Sequence, residues 1–217
     1  MTFLRGPALA LDCVASLAAC SGSSGSDGPT GTGTPTPRAA VDESKACAYL
    51  TAADRRTLAG VALDEVVAAD ARSGGSQCRW SSDRGLIELT SVTSTAWART
   101  LPAVVRQLGE SSEAGTAQDR KDLARARKLL AGAGTFDATE ACEAFGTLAE
   151  IDGSAKDSSV AVKYLPISTS EVGVSAQVCS DGVLTSIVYS EPGLVESPKY
   201  AKAVTVALRA AQARATA

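Results

Sequence analysis

The chain has 217 residues, 45% of them hydrophobic, and a formal net charge of −3. This composition is ordinary for one globular domain or two small ones, and it excludes collagen-like and wholly disordered chains. The mild acidity argues against a nucleic-acid partner, and the absence of histidine excludes Ser-His-Asp and Cys-His catalysis and zinc sites built on histidine.

Residues 1–19 are typical of a secretory signal peptide. Arg5 precedes a mostly small and apolar run, which contains Asp12 and is shorter than the roughly 20 apolar residues of a membrane-spanning helix. The run ends in Leu-Ala-Ala-Cys at positions 17–20, which resembles the lipobox of bacterial lipoproteins. We therefore predict that the Cys20 thiol receives a diacylglycerol, whose two acyl chains anchor the protein on the extracytoplasmic face of the cell membrane. The alternatives are an ordinary secreted protein and a cytosolic one.

A spacer follows the lipobox. Residues 20–40 consist of Cys20 and a tract rich in Gly, Ser, Thr and Pro without large apolar side chains, so this segment cannot bury enough surface to fold. The composition predicts a flexible tether that holds a folded part, residues 41–217, away from the membrane. Thr/Pro tracts can also carry O-linked sugars, and that alternative stays open.

The first half of the folded part, about residues 41–110, predicts a short helix, three strands and a longer helix. Thr51 and Asp54 begin the short helix, and Gly60 ends it. The long helix covers 95–108, where Pro102 is expected to divide or bend it. Strand-like segments lie between the two helices, at 63–70, 77–81 and 86–92.

The second half, about residues 115–217, repeats much of this order. Helices are predicted over 117–131 and 139–150, and a last helix runs from Ser197-Pro198 to about Arg214. Strand-like segments cover 159–165, 172–179 and 183–189, and Asp181-Gly182 is a strong hairpin signal between the last two. The predicted fold is therefore α+β, with an antiparallel sheet packed by helices and an internal pseudo-repeat.

Four cysteines remain once Cys13 is removed with the signal and Cys20 is lipidated. An even number of cysteines in an exported domain predicts disulfides, and three pairings are open. The matching positions in the two halves favour Cys47–Cys78 and Cys142–Cys179, which are 31 and 37 positions apart. A zinc site made of the four cysteines is the sharper alternative, although the close C-x-x-C pairs typical of such sites are absent.

Several motifs together resemble a family of actinobacterial lipoproteins known only as a domain of unknown function. They are the lipobox, the spacer, Cys47-Ala-Tyr-Leu-Thr-Ala-Ala-Asp54 with Gly60, Cys78-Arg-Trp80 and Cys179-Ser-Asp-Gly182. The usual opening of that family is Cys-x-Leu-Leu-Thr, and Tyr49 replaces its first leucine here. The resemblance covers roughly residues 41–215 and implies the location and the fold but no activity. The extracellular sensor domains of mycobacterial Ser/Thr kinases are similar in their α+β plan with two disulfides.

Two pairs of residues are candidates for a site. Glu140 and Glu143 are three positions apart on one helical face and could act together in a carboxylate-based hydrolase. Acidic residues near a helix start also complement the helix dipole, and we favour this explanation. Trp80 and Trp97 could each form the floor of a ligand pocket, but packing in the core is the favoured interpretation for both.

The helix predicted over 117–131 is strongly basic. A basic amphipathic helix can lie on an anionic bilayer. Asp119 and Asp122 dilute the charge, however, so we favour a solvated face. The basic residues of this helix are Arg120, Lys121, Arg125, Arg127 and Lys128.

The expected function is a non-enzymatic binding or sensing module of the cell envelope that needs no cofactor or metal. Its expected partners are the membrane, through the lipid anchor, and a small molecule, a lipid or an envelope protein. A structural or protein-interaction lipoprotein without a ligand pocket is one alternative, and the carboxylate-based hydrolase is another. The sequence does not predict which residues would bind the ligand.

Overall fold

The strand segments pair into an antiparallel sheet of six strands with helices on both faces. The computed structural model describes residues 45–71, 75–110, 115–168 and 171–217. Within them the predicted α+β class is confirmed. The signal peptide, Cys20, the spacer and the turn predicted at 73–75 lie wholly or mainly outside the described residues.

The elements of the described ranges follow in chain order. The helices are α1 (Lys45–Tyr49), α2 (Ala52–Ala59), α3 (Ser94–Glu110), α4 (Ala117–Leu129), α5 (Ala138–Ile151) and α6 (Pro198–Ala215), and a 3-10 turn, Leu130–Gly132, extends α4. The strands are β1 (Glu65–Ala71), β2 (Gly75–Ser82), β3 (Gly85–Thr93), β4 (Ala161–Pro166), β5 (Val172–Ser180) and β6 (Val183–Ser190).

The sheet joins the two halves of the chain. Its strand order is β1-β2-β3-β6-β5-β4, so each half contributes a meander of three consecutive strands. The meanders meet at the centre, where β3 and β6 pair antiparallel with Leu89 opposite Ile187. The order of strands in the first half therefore recurs in the second, and both halves share one sheet.

Helix and turn boundaries follow the local signals. The Thr51 side chain accepts a hydrogen bond from the Asp54 N–H (3.2 Å), and the Asp54 carboxylate accepts one from the Thr51 N–H (3.0 Å). This capping box begins α2, and Gly60 ends the helix with a φ of 70°. Asp181 and Gly182 have φ angles of 51° and 76°, as a two-residue hairpin turn between β5 and β6 requires.

Helix α3 is longer than predicted, and Pro102 does not divide it. The helix runs without interruption from Ser94 to Glu110, with Pro102 on its exposed side. Trp97, Leu101 and Val105 are buried on the other side, before and after the proline. Proline removes one backbone hydrogen bond from a helix. The packing of these side chains on both sides of Pro102 holds the helix together across that gap.

Two apolar clusters form the core, one on each face of the sheet. The first cluster lies between the sheet and helices α1, α2 and α6, and its sheet residues include Trp80, Ile87, Leu89, Val174, Ile187 and Tyr189. The second cluster lies mainly among α3, α4 and α5, and it meets the sheet at Val92, Ala161, Cys179 and Leu184.

The favoured disulfide pairing is confirmed. Cys47 is bonded to Cys78 and Cys142 to Cys179, with sequence separations of 31 and 37. Cys78 belongs to the first cluster and Cys179 packs against the second. One disulfide therefore ties α1 to β2 on one face of the sheet, and the other ties α5 to β5 on the opposite face. Because all four thiols are oxidised, the alternative of a zinc site made of these cysteines is wrong.

Candidate ligand-binding face

One face of the sheet becomes polar beyond the helices that cover it. Side chains alternate between the faces along a strand. In β6, Ile187 and Tyr189 therefore point to the first cluster, whereas Leu184, Ser186 and Val188 point to the opposite face. The second cluster meets that opposite face in the row of Val92, Leu184 and Cys179 and at Ala161 on β4, which is opposite Gln177.

The strand register places mostly polar side chains in two rows on this face. The first row is Gln77, Thr90, Ser186 and Gln177, from β2 to β5. The second row is Arg79, Glu88, Val188, Ser175 and Lys163, from β2 to β4. We call these residues the polar sheet face. Among the described residues, no member of the polar sheet face belongs to either apolar cluster.

Charged groups lie toward both edges of the polar sheet face. On one side, Arg79 Nε lies 3.6 Å from Glu88 Oε2 on the adjacent strand. On the other side, Lys163 forms an ion pair with Asp152, the residue that follows α5. Hydroxyl and amide side chains lie between these two pairs. Of these side chains, Gln77 and Thr90 are half-buried, whereas Ser175, Gln177 and Ser186 are buried. The accessible groups include both hydrogen-bond donors and acceptors.

Ser186 lies in the middle of the polar sheet face. The residue is 3% exposed, and its Oγ has no hydrogen-bond partner among the described residues. A buried hydroxyl left without a partner costs roughly 1–3 kcal/mol. Thr185 Oγ1 is in the same condition but lies on the opposite face of the strand, toward the first cluster. The two neighbours differ in their cross-strand partners, since Thr185 lies between Ser91 and Val178, whereas Ser186 lies between Thr90 and Gln177.

A second polar cluster, which the sequence did not predict, fixes the start of α6. The hydroxyls of Tyr189 and Tyr200 both donate to the carboxylate of Glu191. The Tyr164 hydroxyl donates to the Ser197 carbonyl (2.5 Å) and accepts from the Ser197 N–H (3.1 Å). Burial first, and then the hydrogen bond to Glu191, raises the pKa of Tyr189, and the same hydrogen bond is the main cause of the raised pKa of Tyr200.

These shifts predict a loss of stability at high pH. Because the tyrosine pKa values are higher in the folded protein than in the unfolded chain, where the pKa is about 10, these hydroxyls contribute their full stabilisation below about pH 10. Their contribution to the free energy of unfolding is lost as the pH rises above that value. We expect the Tyr200→Phe variant to lose less stability between about pH 9 and about pH 11 than the unmodified protein does. Urea unfolding at both pH values measures this, with Tyr49→Phe as the control. An equal loss in Tyr200→Phe and the unmodified protein would contradict the assignment.

Of the two candidate carboxylates, Glu140 caps a helix and Glu143 is exposed to solvent. Glu140 Oε2 accepts a hydrogen bond from the Asp137 N–H (2.9 Å), and the Asp137 carboxylate accepts from the Glu140 N–H (2.9 Å). Glu140 is thus half of a capping box at the start of α5. Glu143 is exposed on the same helix. The structure therefore explains Glu140 by helix capping, as favoured from the sequence.

Both tryptophans pack in the core, as favoured from the sequence. Trp80 is 2% exposed in the first cluster, and the Arg55 guanidinium lies 4.6 Å from its ring centroid. Trp97 is equally buried in the second cluster and meets Phe145 edge to face at 5.7 Å. Neither ring belongs to the polar sheet face.

The basic residues of α4 face solvent. Leu123 and Ala126 are buried against the second cluster, whereas the five basic side chains of this helix are exposed. Asp122 accepts a hydrogen bond from Gln118 (2.8 Å) and lies 3.5 Å from Arg125. The charges of α4 are therefore interleaved with acidic groups, in agreement with the solvated face favoured above.

The polar sheet face was not predicted from the sequence, although the sequence contains one indication of it. In β3, the polar residues Glu88 and Thr90 lie two positions apart, on either side of Leu89 and after Ile87. This alternation indicates a strand with one polar face. The rows become visible only once the pairing of the strands is known.

Comparison with family models, curated proteins and solved structures gives no match to this chain. Across the described ranges, no three or more His, Cys, Asp or Glu side chains are grouped so that they could hold a metal ion. The helices of these ranges also include none with the length and hydropathy needed to cross a membrane.

Proposed function

We propose that this protein is an extracytoplasmic lipoprotein, anchored through Cys20, whose α+β domain binds a ligand of the cell envelope on the polar sheet face. It is a binding or sensing module rather than an enzyme. The Leu-Ala-Ala-Cys motif supports the anchor, and the two disulfides are typical of an oxidising compartment. The resemblance to actinobacterial lipoproteins of unknown function agrees with this location.

The observation that carries the binding proposal is the buried, unpartnered hydroxyl of Ser186 within the polar sheet face of the described chain. Burying such a group costs the isolated domain free energy, and a ligand that displaced the side chains covering Ser186 would supply the missing hydrogen bond. Thr90, the half-buried cross-strand neighbour of Ser186, offers a further hydroxyl. The charged groups at either edge restrict which ligands fit, because an unpaired charge buried by a ligand is costly.

Native mass spectrometry tests the binding. The protein is purified from its own cell envelope in mild detergent, and the expected result is a bound mass that survives purification. Ser186→Val removes the hydroxyl and adds bulk to the polar sheet face. The amount of bound ligand should therefore fall at least about tenfold, which corresponds to a loss of about 1.4 kcal/mol or more of binding free energy. Thr185→Val is the matched control, since it makes a similar change at the neighbouring residue on the opposite face. A bound mass that survives in Ser186→Val, or that is absent from the unmodified protein, contradicts the proposed binding.

Fractionation tests the anchor separately. Replacing Cys20 by Ala removes the thiol that would receive the lipid, so the Cys20→Ala protein should move from the membrane fraction to the medium. Quantitative immunoblotting of the two fractions measures the change. If Cys20→Ala stays on the membrane at the level of the unmodified protein, the lipobox interpretation is wrong, whatever the binding experiment shows.

A further inference from the structure

Helix α6 has two very different sides. Val204, Ala207, Leu208 and Ala211 are buried in the first cluster. The opposite side is exposed and carries Lys199, Lys202, Val206 and Arg209, spaced by three or four residues so that they form one stripe. The helix contains no acidic residue. This exposed stripe is therefore basic along its whole length, with one apolar side chain in the middle.

The helices beside α6 extend the basic character. Helices α1, α2 and α6 together contain seven basic residues and one acidic residue, Asp54. Helices α3, α4 and α5 on the other face contain seven basic and six acidic residues. The chain as a whole has a net charge of −3. The excess of positive charge is thus a property of one helical layer, and we call α1, α2 and α6 the basic layer.

Internal contacts account for only part of this charge. Arg214 Nη1 lies 2.8 Å from Asp54 Oδ2 and 2.7 Å from the Tyr49 carbonyl oxygen, and Arg55 donates to the Leu50 carbonyl (2.6 Å). These two arginines join the helices of the basic layer to one another and to the core. Lys45, Arg56 and the basic residues of the α6 stripe are exposed.

The chain enters the fold within the basic layer. Residue 45 begins α1, and 24 residues separate it from Cys20. If this segment is flexible, as its composition predicts, a chain of that length has an end-to-end distance of roughly 27 Å. An anchor at Cys20 therefore holds the basic layer within about one domain diameter of the lipid headgroups. Electrostatic attraction from such a surface reaches about one Debye length, roughly 8–10 Å at physiological salt.

We propose that the basic layer, and the α6 stripe above all, docks on the anionic lipid surface to which the anchor attaches the protein. The docking depends on the proposed function only in that the lipid anchor keeps this surface close. Positive charges around a single exposed valine match an anionic interface, in which a small apolar side chain can enter the headgroup region. The stripe lacks the aromatic side chains that typically anchor a protein partner. Docking on this layer leaves the opposite face of the sheet, with its polar rows, directed away from the bilayer.

Vesicle binding tests the proposal without the lipid anchor. The mature chain proposed above, residues 20–217 carrying Cys20→Ala, is mixed with vesicles of about 30 mol% phosphatidylglycerol in phosphatidylcholine, and its partition is measured by co-sedimentation at about 0.05 M NaCl. The test variant adds Lys199→Gln, Lys202→Gln and Arg209→Gln. Because each basic residue near an anionic surface contributes about five-fold to binding, this triple change should lower the partition coefficient by roughly 100-fold.

A charge-matched variant is the control. Arg120→Gln, Lys121→Gln and Arg125→Gln remove the same charge from exposed positions on α4, on the other face of the sheet, and should change the partition by less than about five-fold. An equal loss in both triple variants, or equal binding to pure phosphatidylcholine vesicles, overturns the proposal. It is also overturned if the α6 changes abolish crosslinking to an envelope protein but leave vesicle binding unaltered. All samples carry Cys20→Ala, so none of them is lipidated at this position. An error in the lipobox interpretation would therefore change the fractionation experiment but not the vesicle experiment.

Discussion

The free energy of unfolding is expected to fall by about 4 kcal/mol when Cys142 and Cys179 are both replaced by alanine. The disulfide closes a loop with a sequence separation of 37 residues, and its loss restores the conformational entropy of that loop in the unfolded chain. For a domain of this size each kcal/mol corresponds to about 2–4 °C, so Tm should fall by roughly 8–16 °C. Urea and thermal unfolding followed by circular dichroism measure both quantities.

The Cys47–Cys78 pair provides the comparison for this experiment. Its separation of 31 residues is nearly the same, so the Cys47→Ala/Cys78→Ala variant should lose a similar free energy of unfolding, about 4 kcal/mol. The free energy of unfolding of natural domains is only about 5–15 kcal/mol, so a variant that lacks both disulfides should be largely unfolded. A loss below about 1 kcal/mol in either double variant would contradict the chain-entropy explanation.

Replacing Trp97 by alanine should cost about 3–5 kcal/mol of unfolding free energy. Trp97 is 2% exposed and joins α3 to α5 through its contact with Phe145, so the change leaves a large cavity between helices that come from different halves of the chain. Trp97→Phe retains an aromatic ring and should lose less. Equilibrium unfolding in urea measures the three proteins.

An exposed apolar residue serves as the control for Trp97. Val206 is 57% exposed on α6, and Val206→Ala should change the free energy of unfolding by no more than about 0.5 kcal/mol. If Trp97→Ala were equally mild, the second cluster would contribute far less to stability than its burial indicates.

Local signals in the sequence predicted most of the fold. The Thr51/Asp54 capping box, Gly60 and the Asp181-Gly182 turn act within a few residues, so their effect can be deduced before any tertiary contact is known. Both disulfides were predicted on other grounds, because the cysteines occupy matching positions in the two halves, 31 and 37 residues apart. The uninterrupted α3 was not predicted, because the packing that holds it together across Pro102 comes from α4 and α5.

The candidate site was less predictable because it depends on the register between distant strands. Ser186 and Thr185 are adjacent polar residues with similar side chains, and only the pairing of β6 with β3 and β5 shows which of them shares a face with Thr90 and Gln177. The Glu191 cluster likewise needs the end of β6 to lie beside the first turn of α6. Such contacts have no signature in a single segment of sequence.

The order of the disulfides along the chain has a consequence for the export route proposed here. Each joins two consecutive cysteines of the folded part, Cys47 with Cys78 and then Cys142 with Cys179. A chain that leaves the cell with its N-terminus first therefore reaches the native pairing if each thiol bonds with the next one to emerge. A free thiol at Cys20 would disturb this sequence of events, because it would meet Cys47 first and shift every later pairing by one. The proposed acylation of Cys20 would remove that competitor, so a lipid at this position would both anchor the protein and favour the native pairing of the other four cysteines.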